Sequence, residues 1–158
     1  MNGILLAWYI NQLKASMFNH HINHTRLPII YLVDHQRKAR SALTELLAPL
    51  GAQIENFPSA KRFLQHDINA QAACLLLEAH LEDKKASGIA LLEQMADREI
   101  YIPTIILASS SDIPTAVRAM RANAIDFIEK PYVEHMLVRQ VKSLLSQTRS
   151  TQLHTPTF

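Results

Sequence analysis

Four short apolar runs of the chain end in polar residues that could do chemistry together. Asp34 and His35 follow the first of these runs, Glu78 ends the second, Ser109 follows the third and Lys130 follows the fourth. Two carboxylates, a hydroxyl and a lysine ammonium in one place would form a binding site for a charged group. Whether these side chains meet depends on the elements that carry them.

Short continuous apolar runs alternate with longer stretches of helical period from Pro28 onward, which is typical of strands buried between helices in a parallel sheet. Five strands that are each followed by a helix predict an open, doubly wound α/β sheet. Ligands of such sheets lie at the carboxyl ends of the strands, so we expect the polar residues to meet there. The predicted strands are residues 29–34, 52–56, 73–78, 103–108 and 125–129, and the predicted helices are residues 36–50, 59–66, 88–98, 113–122 and 133–147.

Five residues mark the boundaries of these predicted helices. Gly51 is suited to a left-handed stop after the first helix, and Ser59 and Asp112 are suited to cap the second and fourth. Pro114 is tolerated in the first turn of a helix, and Asn123 can take a left-handed exit after the fourth helix.

Composition limits the classes of function. With 158 residues, of which 48% are hydrophobic, the chain has enough apolar material for one domain with a real core. Its 16 basic and 14 acidic residues give a net charge of +2, and no basic block supports nucleic-acid binding. Cys74 is the single cysteine and lies in an apolar run, so we expect a buried thiol and a reducing, cytoplasmic location.

The chain is expected to divide into an N-terminal extension of residues 1–27, a domain of residues 28–147 and a polar C-terminal tail of residues 148–158. The apolar segment 4–10 is too short to span a bilayer and follows no basic residue, which argues against a membrane helix and a secretory signal. The extension could be a helix that packs on the domain or on a second copy, a frayed tail, or a stretch that precedes a true start at Met17. The side chains that would share one face of such a helix are Leu6, Ile10, Leu13 and Met17.

Three motifs carry a resemblance to a known family. They are "YLVDH" at the first strand, "FPSAKRFL" at the second helix and "IPTAVRAMRANAIDFIEKPY" from the fourth helix to a Lys-Pro pair. Over about Pro28 to Gln147 the chain resembles a receiver domain of bacterial two-component response regulators, most closely the FixJ-type branch. This resemblance implies a flavodoxin-like (βα)5 sandwich with a central five-stranded parallel sheet.

Working receivers accept a phosphoryl group on an Asp at the end of the third strand, and two acids after the first strand hold Mg²⁺. At these positions the chain departs from the family. Asp34 matches the first acid, but His35 replaces the second, and imidazole is a poor ligand for Mg²⁺. Glu78 stands at the acceptor position, where its extra methylene extends the carboxylate by about 1.5 Å into the volume of the phosphoryl group.

The remaining positions of the pocket are partly kept. Ala108 falls where the family has a hydroxyl residue, and Ser109 follows one position late. Lys130 and Pro131 match the Lys-Pro pair, and Phe127 occupies the position of the switch aromatic. The loop that follows the third strand is about two residues longer than usual and lacks the familiar Met-Pro-Gly.

These departures predict an atypical, stand-alone receiver that is not an enzyme and acts as a phosphorylation-independent module for protein interaction in signalling or transcriptional control. We expect Mg²⁺ binding to be lost or weak, a pair between Glu78 and Lys130, a protein partner, a possible homodimer, and no direct contact with nucleic acid or membrane. The interaction face that the resemblance implies, between the fourth helix, the fifth strand and the last helix, would contain Arg118, Arg121, Asp126, His135 and Arg139.

Several alternatives stay open. The chain could be phosphorylated at Glu78, or Asp83 could serve as the acceptor, and Ser109 to Ser111 could be donors or modification sites. The pocket could instead sense a metal or a small ligand through Asp34, His35, Glu78 and His80, and His20 with His24 could chelate a metal. The apolar stripe of the fourth helix, Ile113, Val117 and Met120, is expected to belong mostly to the core.

Overall fold

A computed structural model describes residues 27–69, 71–85, 87–110 and 112–153 of the chain. The predictions for the N-terminal extension, for His20 with His24 and for Ser111 lie outside these residues. The strands are β1 (Ile29–Val33), β2 (Gln53–Phe57), β3 (Cys74–Glu78), β4 (Thr104–Ala108) and β5 (Asp126–Glu129). The α-helices are α1 (Arg37–Leu47), α2 (Ala60–Leu64), α3 (Ser87–Asp97), α4 (Ile113–Arg121) and α5 (Glu134–Leu153), with 3-10 turns at Ala48–Leu50 and Leu81–Asp83.

The five strands form one parallel sheet in the order β2-β1-β3-β4-β5. This order reverses between β1 and β3, which places the switch point of a doubly wound sheet at the ends of these two strands. The predicted flavodoxin-like (βα)5 sandwich is therefore confirmed. β3 lies at the centre and is buried along its whole length, as its uninterrupted apolar run predicts.

Alternate residues of each strand face two separate cores. Tyr31, Leu75 and Ile106 pack with residues of α2, α3 and α4 on one face, and Leu32, Leu76 and Ile105 pack on the other, which α1 and α5 cover. Tyr31, Phe57 and Phe63 meet edge to face, with ring centroids 5.2 to 5.8 Å apart. Helices on both faces thus fix the strand ends rigidly.

The predicted boundary residues are confirmed. The Ser59 hydroxyl accepts a hydrogen bond from the Arg62 N–H, and the Asp112 carboxylate accepts one from the Thr115 N–H. Gly51 adopts a left-handed backbone after the 3-10 turn that ends α1. Asn123 does the same after α4, with a φ of 68°.

Two expectations about helices were wrong. α5 continues to Leu153 rather than ending near residue 147, because nothing between its first and last residues breaks a helix. The stripe of α4 is not core: Ile113, Val117 and Met120 are 80%, 42% and 50% exposed. The helix packs instead through the smaller Thr115 and Ala119, which leaves its large apolar side chains outside.

None of the helices in the described part of the chain combines the length and the hydropathy that crossing a bilayer requires.

Candidate functional site

Three charged side chains meet at the carboxyl edge of the sheet. The Nζ of Lys130 donates a hydrogen bond to Glu78 Oε2 at 2.7 Å and to Asp34 Oδ2 at 3.0 Å. Both carboxylates are buried, with only 3% of each residue exposed. The predicted pair between Glu78 and Lys130 is thus present, and Asp34 joins it to form a charge triad of net charge −1.

The remaining two carboxylate oxygens of the charge triad accept backbone hydrogen bonds. Asp34 Oδ1 accepts the N–H of Gln36 at 2.7 Å, and Glu78 Oε1 accepts the N–H of His80 at 3.1 Å. All four oxygens therefore have a donor within the chain. Hydrogen bonds to ionised carboxylates are among the stronger ones in proteins, and they offset part of the cost of burying two negative charges.

Neighbouring strands deliver the two acids to the same place. Asp34 follows the last residue of β1, Glu78 ends β3, and these strands are adjacent in the sheet. Arg40 of α1 reaches back over the first turn, where its Nη1 donates to the carbonyls of Asp34 at 2.7 Å and of His35 at 3.2 Å. Arg40 thus fixes the segment that carries Asp34, a role that spacing alone did not reveal.

Gly88 explains how close α3 approaches the end of β3. A Cβ at this position would overlap the carbonyl oxygen of Glu78, and the Gly88 N–H donates to the Ala79 carbonyl at 2.9 Å. Only glycine leaves room for the helix at this distance. The backbone of Glu78 is therefore held by α3 as well as by the sheet.

Lys130 reaches Asp34 and Glu78 from the end of β5, the edge strand that lies two strands away from β3. Its N–H donates to the Ala108 carbonyl at 2.7 Å, and its peptide bond to Pro131 is cis. Burial works to lower the pKa of the Lys130 ammonium, but the hydrogen bond to Glu78 and the charges of both carboxylates outweigh burial, so this pKa lies above its ordinary value. Lys130 therefore stays charged at neutral pH.

Beside the triad lies an open cavity of about 490 Å³. Ser109 lines it, whereas Ala108 is fully buried in the core and presents only a methyl group. His35 Nδ1 lies 3.8 Å from Asp34 Oδ1, which exceeds hydrogen-bond distance. Among the described residues, no three His, Cys, Asp or Glu side chains are grouped so that they could hold a metal ion.

The long loop after β3 is tied down by Ser87. The Ser87 hydroxyl accepts the N–H of Leu81 at 2.7 Å and lies 2.9 Å from the carbonyls of Leu81 and Lys84. His80 Nε2 lies 3.0 Å from the Ser110 carbonyl, which links the loop to the end of β4. These contacts hold the loop, whose His80 and Lys85 line the cavity.

Lys85 and Asp112 pair with each other at the wall of the same cavity. Their side chains pair at 2.9 Å, and hydrogen bonds from Thr115 and from Lys85 hold the pKa of the Asp112 carboxyl well below its usual range. Asp83, the alternative acceptor, belongs to the 3-10 turn in this loop.

The residues predicted for an interaction face do not all lie together. Asp126 and Arg139 line a groove of about 780 Å³ between β5 and α5, and Asp126 accepts a hydrogen bond from Gln140. Arg118 instead makes a two-pronged ion pair with Glu93 of α3, at 2.5 and 2.7 Å, on the other side of α4. Arg121 and His135 are exposed.

Phe127, at the position of the switch aromatic, is half-buried. Its ring packs against the core that α2, α3 and α4 cover, and it also lines the groove between β5 and α5. The apolar rim of that groove includes Val133 and Met136, each 54% exposed. The exposure of Val133 and Met136, like that of the α4 stripe, could not be predicted from hydrophobic periodicity, because these apolar residues have the spacing of core residues.

Comparison with known proteins identifies the family. The family described as "Response regulator receiver domain" matches residues 30–142. The response regulator TodT of Pseudomonas putida is 32% identical over 132 residues, which are 83% of this chain and 57% of TodT. The transcriptional regulatory protein FixJ of Rhizobium meliloti is 31% identical over 113 residues, which are 72% of this chain and 54% of FixJ. The chain thus spans about half the length of the curated relatives it matches.

Solved structures agree with this assignment. A response regulator receiver protein from Pseudoalteromonas atlantica is 57% identical, with a TM-score of 0.74 over 76% of this chain and 98% of that one. The crystal structure of FixJ-N is 28% identical, with a TM-score of 0.65 over 83% of this chain and 98% of that one. The fold, the motifs and the matched residues together show that this chain belongs to the response regulator receiver domain family of two-component signalling proteins.

Proposed function

We propose that this receiver acts as a phosphorylation-independent module for protein interaction. The observation that carries the proposal is the charge triad, in which Lys130 bridges two buried carboxylates whose four oxygens all accept hydrogen bonds within the chain. A group that arrives from solution would have to displace these donors. The arrangement of the triad in the unmodified chain is therefore also the one in which the domain binds its partner.

The donor set does not fit Mg²⁺. This ion requires near-octahedral oxygen ligands and gives up its water reluctantly, yet the oxygens of Asp34 and Glu78 are already engaged. The next side chain along, His35, offers an imidazole nitrogen where oxygen is wanted. We infer that the Lys130 ammonium supplies the positive charge that the metal would bring.

The acceptor position argues in the same direction. Phosphoryl transfer depends on positioning and on stabilisation of charge rather than on covalent assistance. Glu78 points both oxygens at partners of its own, and the methyl group of Ala108 offers no hydrogen bond to a phosphoryl oxygen. Self-catalysed phosphorylation would lack its metal, its hydroxyl and the geometry of its acceptor, and we propose that the domain is not an enzyme.

The output surface that we propose lies around α4, β5 and α5. This surface is not purely charged, because exposed apolar side chains lie beside Asp126 and Arg139. The exposed apolar side chains are those of Ile113, Val117, Met120, Val133 and Met136. Exposed apolar side chains with a polar rim are typical of protein–protein contacts. The partner would be a signalling or transcriptional protein, or a second copy of this chain.

The names of the relatives support a regulatory setting. FixJ is named a transcriptional regulatory protein and TodT a response regulator protein. We propose that this chain acts in a comparable pathway, in the cytoplasm, where the buried free thiol of Cys74 would stay reduced.

Intact-mass measurement after incubation with acetyl phosphate and Mg²⁺ tests the loss of phosphorylation. The matched control is a variant that restores the family's residues at three positions, His35→Asp/Glu78→Asp/Ala108→Thr. We expect the native chain to keep its mass and the restored variant to gain one phosphoryl group. A gain of one phosphoryl group by the native chain that Glu78→Gln abolishes would overturn the proposal and establish Glu78 as an acceptor.

A further inference from the structure

An apolar groove lies at the edge of the sheet opposite the charge triad. It is a cavity of about 220 Å³ between the end of α3, the connection that leads into β4 and the end of α4. We name it the amino-edge groove, and its lining includes Leu92, Ala96, Ile100, Tyr101, Pro103 and Ala122. No function described above uses this surface.

Large apolar side chains are exposed along the same edge. Leu27 precedes β1, Tyr101 precedes β4 and Ile125 precedes β5, and they are 57%, 63% and 43% exposed. All three therefore lie at the amino ends of parallel strands. An apolar groove that is extended by exposed apolar side chains indicates a surface that another segment covers.

The N-terminal extension enters the domain at this edge. In the register of the sheet, Ile30 of β1 pairs with Cys74 of β3, and Leu75 of β3 pairs with Thr104 of β4. The residue before β1 and the residues before β4 therefore lie at the same edge of the sheet. One strand, β3, separates β1 from β4. Two strand spacings of nearly 5 Å each place the entry point about 10 Å from the groove.

The extension has the chemistry to fill this groove. Its apolar positions Leu6, Ile10 and Leu13 have the spacing of one helix face. Residues 1–26 contain Lys14 and Arg26 but no Asp or Glu. Between Ala96 and Ile100 of the groove lie the exposed residues Asp97, Arg98 and Glu99, which together carry a net charge of −1, so charge favours the same contact.

The connection is long enough. The nine residues 18–26 join the predicted helix to Leu27. An extended chain of that length spans up to about 30 Å, several times the distance from the entry point to the groove. The segment can therefore reach the groove of its own domain without a second copy.

We propose that residues 4–17 dock the apolar side chains of Leu6, Ile10 and Leu13 into the amino-edge groove of the same chain. The contact covers Tyr101 and Ile125 and leaves the carboxyl edge and the face around α4 and α5 accessible. It does not involve the residues of the charge triad.

Amide hydrogen exchange of the full chain tests the contact. The variant Leu6→Ser/Ile10→Ser/Leu13→Ser removes the apolar face outside the folded domain, and Asn11→Ser/Gln12→Ser/Ala15→Ser alters the opposite face as a matched control. We expect exchange at residues 99–102 and 123–125 to become about tenfold faster in the first variant and to stay unchanged in the second, since opening an apolar contact exposes local amides. Equal exchange in the native chain and both variants would overturn the proposal.

Disulfide trapping identifies the occupant. After oxidation with copper phenanthroline, a full chain with Leu13→Cys and Tyr101→Cys should lose two free thiols to a disulfide and still run as a monomer on a non-reducing gel, whereas either substitution alone should form no disulfide within the chain. Cys74 does not interfere, because burial raises the pKa of its thiol to about 12. A disulfide-linked dimer as the main product would show that a second copy fills the groove and would overturn the proposal.

Discussion

Lys130 places its ammonium between two buried carboxylates, and the energetics of the site follow from this one side chain. Burying two negative charges is costly unless each is paired and hydrogen-bonded. Asp34 and Glu78 obtain one bond each from the backbone and one each from Lys130. Removing the ammonium would leave an uncompensated charge in the protein interior.

Lys130→Met should therefore lower the free energy of unfolding by about 3–5 kcal/mol, as breaking a buried pair from one side does. Urea denaturation measures this change. Lys142→Met, on the exposed surface of α5, is the control and should change the free energy by less than about 0.5 kcal/mol. The double variant Lys130→Met/Glu78→Gln should recover part of the lost unfolding free energy, because it removes one of the two uncompensated charges. If Lys130→Met changes the unfolding free energy as little as the control does, the triad does not stabilise the fold.

The contribution of Lys130 should also depend on pH. Its pKa is raised in the folded state, so its stabilising effect is complete below the ordinary lysine pKa of about 10.4 and is lost as the pH rises through the folded value. The difference in unfolding free energy between the native chain and Lys130→Met should stay constant from about pH 7 to 10 and shrink above that range. A difference that already declines near neutral pH would mean that the ammonium is not held by these carboxylates.

At the scale of the elements, the triad depends on how closely α3 approaches β3. Gly88 permits that approach because it has no Cβ to meet the Glu78 carbonyl. Gly51 serves a different purpose, since its backbone is left-handed and nothing lies within 4 Å of a Cβ there. The two glycines thus separate a steric requirement from a conformational one.

Gly88→Ala should lower the unfolding free energy by about 1–3 kcal/mol or more, because the helix start or the Glu78 backbone must move. Gly51→Ala should cost about 1 kcal/mol through backbone strain alone. Asparagine tolerates the left-handed region, so Gly51→Asn should recover most of the loss at position 51, whereas Gly88→Asn should recover nothing. Equal costs of Ala and Asn at both sites, measured by urea denaturation, would contradict this distinction.

The elements and the triad could largely be predicted from the sequence, while the surfaces could not. Strands buried on both faces produce uninterrupted apolar runs such as that of β3, and capping residues such as Asp112 act through local hydrogen bonds, so both leave a direct trace. The α4 stripe has core spacing, and its exposure depends on the smaller Thr115 and Ala119 making the contact instead. Gly88 and Arg40 act through contacts whose distances no spacing encodes.

At the scale of the whole molecule, the exposed α4 stripe should matter for association rather than for folding. Each of Ile113→Ser, Val117→Ser and Met120→Ser should change the unfolding free energy by less than about 1 kcal/mol, since exposed side chains lose little contact. Leu137→Ala in the buried face of α5 should cost about 2–5 kcal/mol and is the core reference. Serine variants as costly as Leu137→Ala in thermal or urea unfolding would place the stripe in the core after all.

The molecule as described has one edge with a self-satisfied charge triad, a second edge with an apolar groove and a side with exposed apolar residues. The function that we propose for this arrangement is that of a scaffold for contacts, whose signalling state is set by residues already in the chain.

The most direct test of this account is the two-dimensional amide NMR spectrum of the full chain with and without Mg²⁺ and beryllofluoride, a mimic of the phosphoryl group. We predict that the amide signals of residues 34–36, 78–80, 108–110, 127 and 130 stay in place, because Lys130 already satisfies both carboxylates. The variant His35→Asp/Glu78→Asp/Ala108→Thr should show shifts at the same positions and is the positive control. Saturable shifts of these signals in the native chain would contradict the account.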